Sequence, residues 1–307
     1  MRPSWSRPEL DALFDQTEYL AARPRTVQEL PGGLTNRNYK VTTPDGTFVA
    51  RIASGGTELL AIDRDCEYRN SVAAAAAGAG APVIEYRPGD RLLVLHFIEG
   101  RTLASADVAA EQNLPRIAAA CRRLHAGGRF GNDFDMFDIQ RGYLAVARSR
   151  GFRIPAGYDD LLPPFTAAQK ALAVRATATV PCHNDLLAAN FIDDGDRIWL
   201  IDYELSGNND PCFELGNIAA ESHLSGDALA ALVTAYYGRP RRSMVARARL
   251  LGLVGMYGWT LWGAIQNGAS PIEYDFWSWA MERFEGAAAG FTATDFPALL
   301  EEVQHDD

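Results

Sequence analysis

His183-Asn184-Asp185-Leu186-Leu187-Ala188-Ala189-Asn190 is an H-x-D-x-x-x-x-N stretch, and Ile201-Asp202-Tyr203-Glu204 follows it. The first stretch sets a carboxylate, Asp185, and an amide, Asn190, a few residues apart. The short run after it carries a second carboxylate, Asp202. Phosphoryl transfer asks for these donors: a carboxylate to orient an attacking hydroxyl, and oxygen ligands for Mg²⁺. Mg²⁺ prefers such hard oxygens and keeps waters for the rest of its octahedron. Taken alone, the loop also fits a polar turn between short strands with His183 buried. Asp202 at the end of the next hairpin weighs against that simpler reading.

Upstream of the loop, Thr26 to Leu30, Asn38 to Thr42 and Thr47 to Ile52 are short runs of strand-forming residues, after an opening helix expected from about Pro8 to Ala22. Pro44-Asp45-Gly46 turns the second run into the third. Ala61 to Ala77 has helical composition and stops at Gly78-Ala79-Gly80-Ala81-Pro82. Val83 to Tyr86 and Arg91 to Phe97 form a further hairpin, turning at Pro88-Gly89-Asp90. From Glu99-Gly100 the pattern becomes helical. Ser105 to Ala126 reads as one long helix, Tyr158 to Thr177 as another, and Phe213 to Gly290 as a succession of them. Asn190 to Ile192 and Arg197 to Tyr203 are short strands among the helices. The fold class is therefore α+β, a small β-rich lobe followed by a larger, mostly helical one, with the change near Phe97 to Arg101.

The chain has 307 residues, and at roughly 150 residues per domain that length suggests about two lobes. Its net charge of −10 disfavours nucleic acid and anionic membranes as partners. The densest basic run, Arg239 to Arg249, reads as a solvated helix face. Cys66, Cys121, Cys182 and Cys212 show no C-x-x-C spacing, and Met1 to Pro8 has no apolar leader core. A cytoplasmic chain with reduced thiols and no membrane anchor is expected. Leu250 to Ile265 is apolar but short and glycine-containing, so it reads as a buried helix.

Pro31-Gly32-Gly33-Leu34-Thr35-Asn36 lies between the first two strands. Glycines there let backbone N–H groups approach phosphate oxygens, and Thr35 and Asn36 add donors. A Gly-Gly turn by itself is usually only a turn; its place in the small lobe favours phosphate binding. Trp259, Trp262, Phe276, Trp277 and Trp279 crowd the last third. The i, i+3 spacing of Trp259 and Trp262 fits a helical core. Aromatic faces also attract quaternary ammonium groups. His96 and His125 read as packing residues.

These residues resemble the choline/ethanolamine kinase branch of the aminoglycoside-phosphotransferase and protein-kinase-like superfamily. The likeness runs through Cys182 to Asp185, Ile201 to Glu204, Ser206, Asn209, Phe213, Gly216-Asn217, Glu221, Trp259 to Trp262, Gln266, Ile272-Glu273 and Arg283-Phe284. It implies a two-lobed protein-kinase-like fold, residues 1–98 forming a nucleotide-binding lobe and 99–307 a catalytic and substrate-binding lobe. It further implies ATP and Mg²⁺ as cofactors and a small amine alcohol, choline or ethanolamine, as acceptor. In that reading Asp185 is catalytic, and Asn190 and Asp202 hold the metal. Gly32, Gly33, Thr35, Asn36, Arg51 and Glu67 serve the nucleotide, Glu67 being the charge partner of Arg51. Asp185, Glu204, Glu221, Trp259, Trp262, Phe276 and Trp279 receive the substrate. Leu205 stands where the branch often has an aromatic, and His223 and Gly226 lie where a further one is expected. The resemblance also puts the adenine at the Leu95 to Gly100 connector.

Overall fold

The structure, a computed structural model, describes residues 5–53 and 57–307. Helix α1 (Arg7–Phe14) opens it, with Ser6 and Glu9 capping each other reciprocally. The helix ends well before Ala22. The Thr17 hydroxyl takes the Phe14 carbonyl at 2.8 Å, and the chain turns there to bury Leu20.

Strands β1 (Thr26–Leu30), β2 (Asn36–Thr43) and β3 (Gly46–Ala53), helix α2 (Arg64–Ala76), and strands β4 (Val83–Arg87) and β5 (Leu92–His96) make the small lobe. The sheet is antiparallel, in the order β1-β2-β3-β5-β4. Alternation along the strands sends Val41, Phe48, Ala50, Ile52, Leu92 and Val94 into a small core with Leu10, Leu13 and Phe14 of α1. Arg51 falls on the other face by the same alternation.

Strand β6 (Arg101–Thr102) leaves that sheet and joins β8 (Phe191–Asp193) and β9 (Ile198–Leu200) in a sheet of the large lobe. Between them come α3 (Ser105–Ala109), α4 (Leu114–His125), α5 (Met136–Arg150), α6 (Leu162–Val174) and β7 (Val180–Cys182). Strand β10 (Gly207–Asn209) pairs with β7 and leads into α7 (Pro211–Glu221). Helices α8 (Gly226–Tyr237), α9 (Arg242–Ala269), α10 (Phe276–Phe291) and α11 (Phe296–Glu302) complete the chain.

The single helix expected over 105–126 is two. Pro115 occupies the first turn of α4, where its missing N–H costs nothing, and the Asn113 amide donates to the Asp107 carbonyl at 2.8 Å. Likewise α6 starts only at Leu162, with Pro163 and Pro164 in its first turn.

Helix α9, about 42 Å long at 1.5 Å per residue, is the axis of the large lobe. Helix α7 crosses it closely at Gly216, where a Cβ would lie 2.0 Å from the Ala248 carbonyl oxygen, so only glycine fits. The basic run at its start is not simply a solvated face. Arg247 is buried, pairing with Asp210 at 2.5 Å and donating to the Leu172 and Arg175 carbonyls, because Asp210 caps α7 beside it. No helix among the described residues is long and apolar enough to cross a membrane, and the segment 250–265 lies inside α9 as core.

Candidate active site

The loop between β7 and β8 carries Asp185, and three of its backbone N–H groups are held by α7. Glu214 accepts from His183 and Asn184, both at 2.8 Å, and Asn217 Oδ1 accepts from Leu186 at 2.7 Å. Asn184 sits in the left-handed region at φ +68°, a conformation that surrounding contacts must enforce. Glu214 is wholly buried; burial alone would raise its pKa, but His125 and the His183 ring and N–H bring it below the usual carboxylate range. His125 Nε2 lies 3.5 Å from Glu214, and its Nδ1 lies 2.7 Å from the Tyr236 hydroxyl. His125 is therefore more than the packing residue expected, because it supports the carboxylate that holds the loop. Glu214, Asn217 and Glu221 carried a signal in the sequence: the i, i+3, i+7 spacing puts three polar residues on one buried helix face.

Asp185 is half-buried. Desolvation, then the charges of Asp202, Glu221 and Glu204, push its carboxyl well above the ordinary range, with Arg283 opposing. The Asn190 side-chain N–H donates to the Asp185 carbonyl at 2.7 Å, which leaves the amide oxygen for another partner. Asp202 also has a left-handed backbone, at φ +75°, and pairs with Arg51.

Arg51 and Glu67 pair at 2.7 Å, both buried. Gly32 is left-handed at φ +100°, and a Cβ on Gly33 would lie 2.2 Å from the Asn36 carbonyl oxygen, so the tight loop needs both glycines. The Thr35 hydroxyl donates to Glu204 Oε1 at 2.6 Å, and the Asn36 amide to Glu204 Oε2 at 2.8 Å. Glu204 therefore faces the glycine loop. Burial and Asp202 raise its pKa against the pull of Arg51 and Arg64. Arg64, not singled out in the sequence, donates to both Glu67 (2.6 Å) and Glu204 (3.1 Å).

Glu221 and Arg283, whose charges Asp185 feels, form a buried pair through both carboxylate oxygens. Arg283 lies over Trp279, its guanidinium carbon 3.4 Å from the ring centre. Trp262 meets Trp279 at 5.0 Å and Phe276 at 5.8 Å between centroids. Trp259 packs on Phe134 at 6.2 Å. The indole N–H groups of Trp259 and Trp262 are buried and unpartnered among the described residues. The site residues thus fall into two clusters, one of hydrogen-bond donors and carboxylates and one of aromatics with an ion pair, and Asp185 feels charges from both.

Residues 26–251 match the model of the phosphotransferase enzyme family, the APH family. Protein LicA of Haemophilus influenzae is 30% identical over 213 residues, 67% of this chain and 61% of that protein. Ethanolamine kinase 1 of Mus musculus is 27% identical over 85% of this chain and 83% of its own. A choline/ethanolamine kinase family protein from Mesorhizobium loti superposes with a TM-score of 0.85 at 29% identity, over 97% of this chain and 98% of the other. The fold and site define a two-lobed kinase-like enzyme. The chain belongs to the phosphotransferase enzyme family, whose matched region takes in the glycine loop, the catalytic loop and Asp202. Its enzyme class is that of a phosphotransferase.

Proposed function

We propose that the protein transfers the γ-phosphoryl group of ATP to the hydroxyl of choline, giving phosphocholine, with residues 1–98 as the nucleotide lobe and 99–307 as the acceptor lobe. The observation that carries this reading is that Asp185 feels members of two unlike clusters, Asp202 and Glu204 of the ion-paired, hydrogen-bonding one and Glu221 and Arg283 of the aromatic one. Arg51 and the glycine loop bind the phosphates; Arg51 offers a planar fork suited to phosphate oxygens. The Asp185 carboxylate accepts a hydrogen bond from the acceptor hydroxyl and turns its oxygen toward phosphorus. Its raised pKa favours taking that proton as the new bond forms.

Asn190 and Asp202 fit Mg²⁺: one offers a free amide oxygen and the other a carboxylate, both hard donors. The ion neutralises phosphate charge during transfer. A metal held by Asp202 would compete for the carboxylate that Arg51 pairs with.

Trp262, Trp279 and Phe276 form the wall for the ammonium end, where diffuse charge and methyl surface suit aromatic faces. The kinship with proteins named for choline and ethanolamine supports this acceptor class. The test is ADP release by the purified chain with MgATP and choline, ethanolamine, thiamine or an aminoglycoside in turn. Choline is expected to give the highest kcat/KM; turnover only with a non-amine alcohol would overturn the proposal.

A further inference from the structure

Arg64 heads α2, and only one of its three guanidinium nitrogens is used. Nη1 donates to Glu67 and Glu204, while Nε and Nη2 are buried without an acceptor among the described residues. Guanidinium donors withdrawn from water are rarely left unpaired, and a carboxylate or phosphate is their usual acceptor. Arg64 also shares a carboxylate with each side-chain donor assigned above to the phosphates, Arg51, Thr35 and Asn36. Glu67 takes Arg64 on one oxygen and Arg51 on the other. Glu204 takes Arg64 together with Thr35 and Asn36. A small cavity of about 40 Å³ lies against Asn36, Arg51, Arg64 and Glu67, with Tyr86, Arg91 and Leu93 also lining it.

We propose that Arg64 is a second arginine for the phosphate chain of the nucleotide, its Nε and Nη2 donating to phosphate oxygens beside Arg51. The inference rests on the kinase reading above. Two arginines facing three carboxylates, Glu67, Asp202 and Glu204, give a cluster with more negative than positive charge. A polyphosphate entering it needs each available cation, and Arg64 supplies one whose donors are already desolvated. Glu67 and Glu204 fix its fork in place beforehand, so little side-chain freedom is lost on binding.

The test is calorimetric binding of MgATP and of adenosine, which has no phosphate, to the full chain and to Arg64→Gln and Arg64→Lys, each checked for a cooperative melt. Arg64→Gln should weaken MgATP by about tenfold or more, the size of one charge-assisted contact, and leave adenosine within about twofold. Arg64→Lys keeps the charge and should recover part of the MgATP affinity if Gln leaves the chain misfolded or weak. Equal losses for MgATP and adenosine, or no loss for either, would overturn the inference and leave the buried donors to water and to the anchoring of α2. A wild-type chain that binds adenosine but gains nothing from the phosphates would overturn the kinase reading with it.

Discussion

Arg283 sits over Trp279, its guanidinium carbon 3.4 Å from the ring centre, while the same guanidinium grips Glu221. A protein cation thus covers one face of an aromatic expected to meet the substrate, and the charge of Glu221 is balanced before any substrate arrives. An acceptor of the proposed kind is left the Trp262 side of the wall and the long-range field of Asp185 for its ammonium group. Such a pocket suits a trimethylammonium group, which needs no hydrogen-bond acceptor, better than a primary ammonium, which does.

Trp262→Ala should raise KM for choline about three- to thirtyfold, since a cation–π contact is worth roughly 0.5–2 kcal/mol and 1.4 kcal/mol is a factor of ten. KM for ATP should change little, and ethanolamine should suffer less than choline. Steady-state kinetics with both acceptors decides it. Unchanged choline kinetics would assign the ring to the core alone.

Glu221→Gln leaves Arg283 buried without its counter-charge. Both side chains are about nine-tenths buried or more, so stability should fall by about 3 kcal/mol, the range for breaking a buried pair. The freed positive charge beside Asp185 should also raise KM for every cationic acceptor. Urea unfolding and acceptor kinetics on the same preparation test both halves.

Glu214→Gln tests the hold of α7 on the catalytic loop. The amide keeps one acceptor oxygen for the N–H groups of His183 and Asn184 and loses the charge paired with His125. We expect kcat to fall about tenfold or more with KM for ATP nearly constant, because a displaced Asp185 weakens the chemical step rather than binding. A change confined to KM would mean the loop does not depend on this helix.

Asp193, in β8, pairs with Arg116 of α4 through two contacts of 2.6 Å, which lower its pKa to about 2. A lowered folded pKa gives stability that is present above the unfolded value near 3.9 and lost as pH falls through about 2. Asp193→Asn should cost about 1–2 kcal/mol at pH 7, allowing for partial exposure. The gap from wild type should narrow as pH drops from about 5 toward 2. Chemical denaturation across that range checks the sign; a constant gap would show that the carboxylate charge is not what matters.

The small sheet is legible in the sequence because Pro44-Asp45-Gly46 and Pro88-Gly89-Asp90 interrupt strand-like runs and each strand pairs with a near neighbour. The donors of the catalytic loop are legible because they lie within one short stretch. Hidden from it is which polar groups neutralise one another. Glu204 reaches Thr35 across 169 positions and Arg64 across 140, and no local spacing encodes such encounters. Arg283 on Trp279 is four residues away in sequence, yet reading it as covering the ring needs the position of Glu221, brought in by α7. Helix α5 was not foreseen, nor the break at Pro115, where the proline's first-turn position decides between one helix and two.

The most direct test of the central claim is the single-turnover rate of choline phosphorylation from MgATP by wild type and by Asp185→Ala, with ATP affinity measured on the same samples. The account predicts choline-dependent ADP formation that falls by at least about a thousandfold in the variant, since the carboxylate acts on the chemical step, while ATP still binds. A variant that keeps most of its rate, or a wild type whose ADP formation ignores choline, would contradict it.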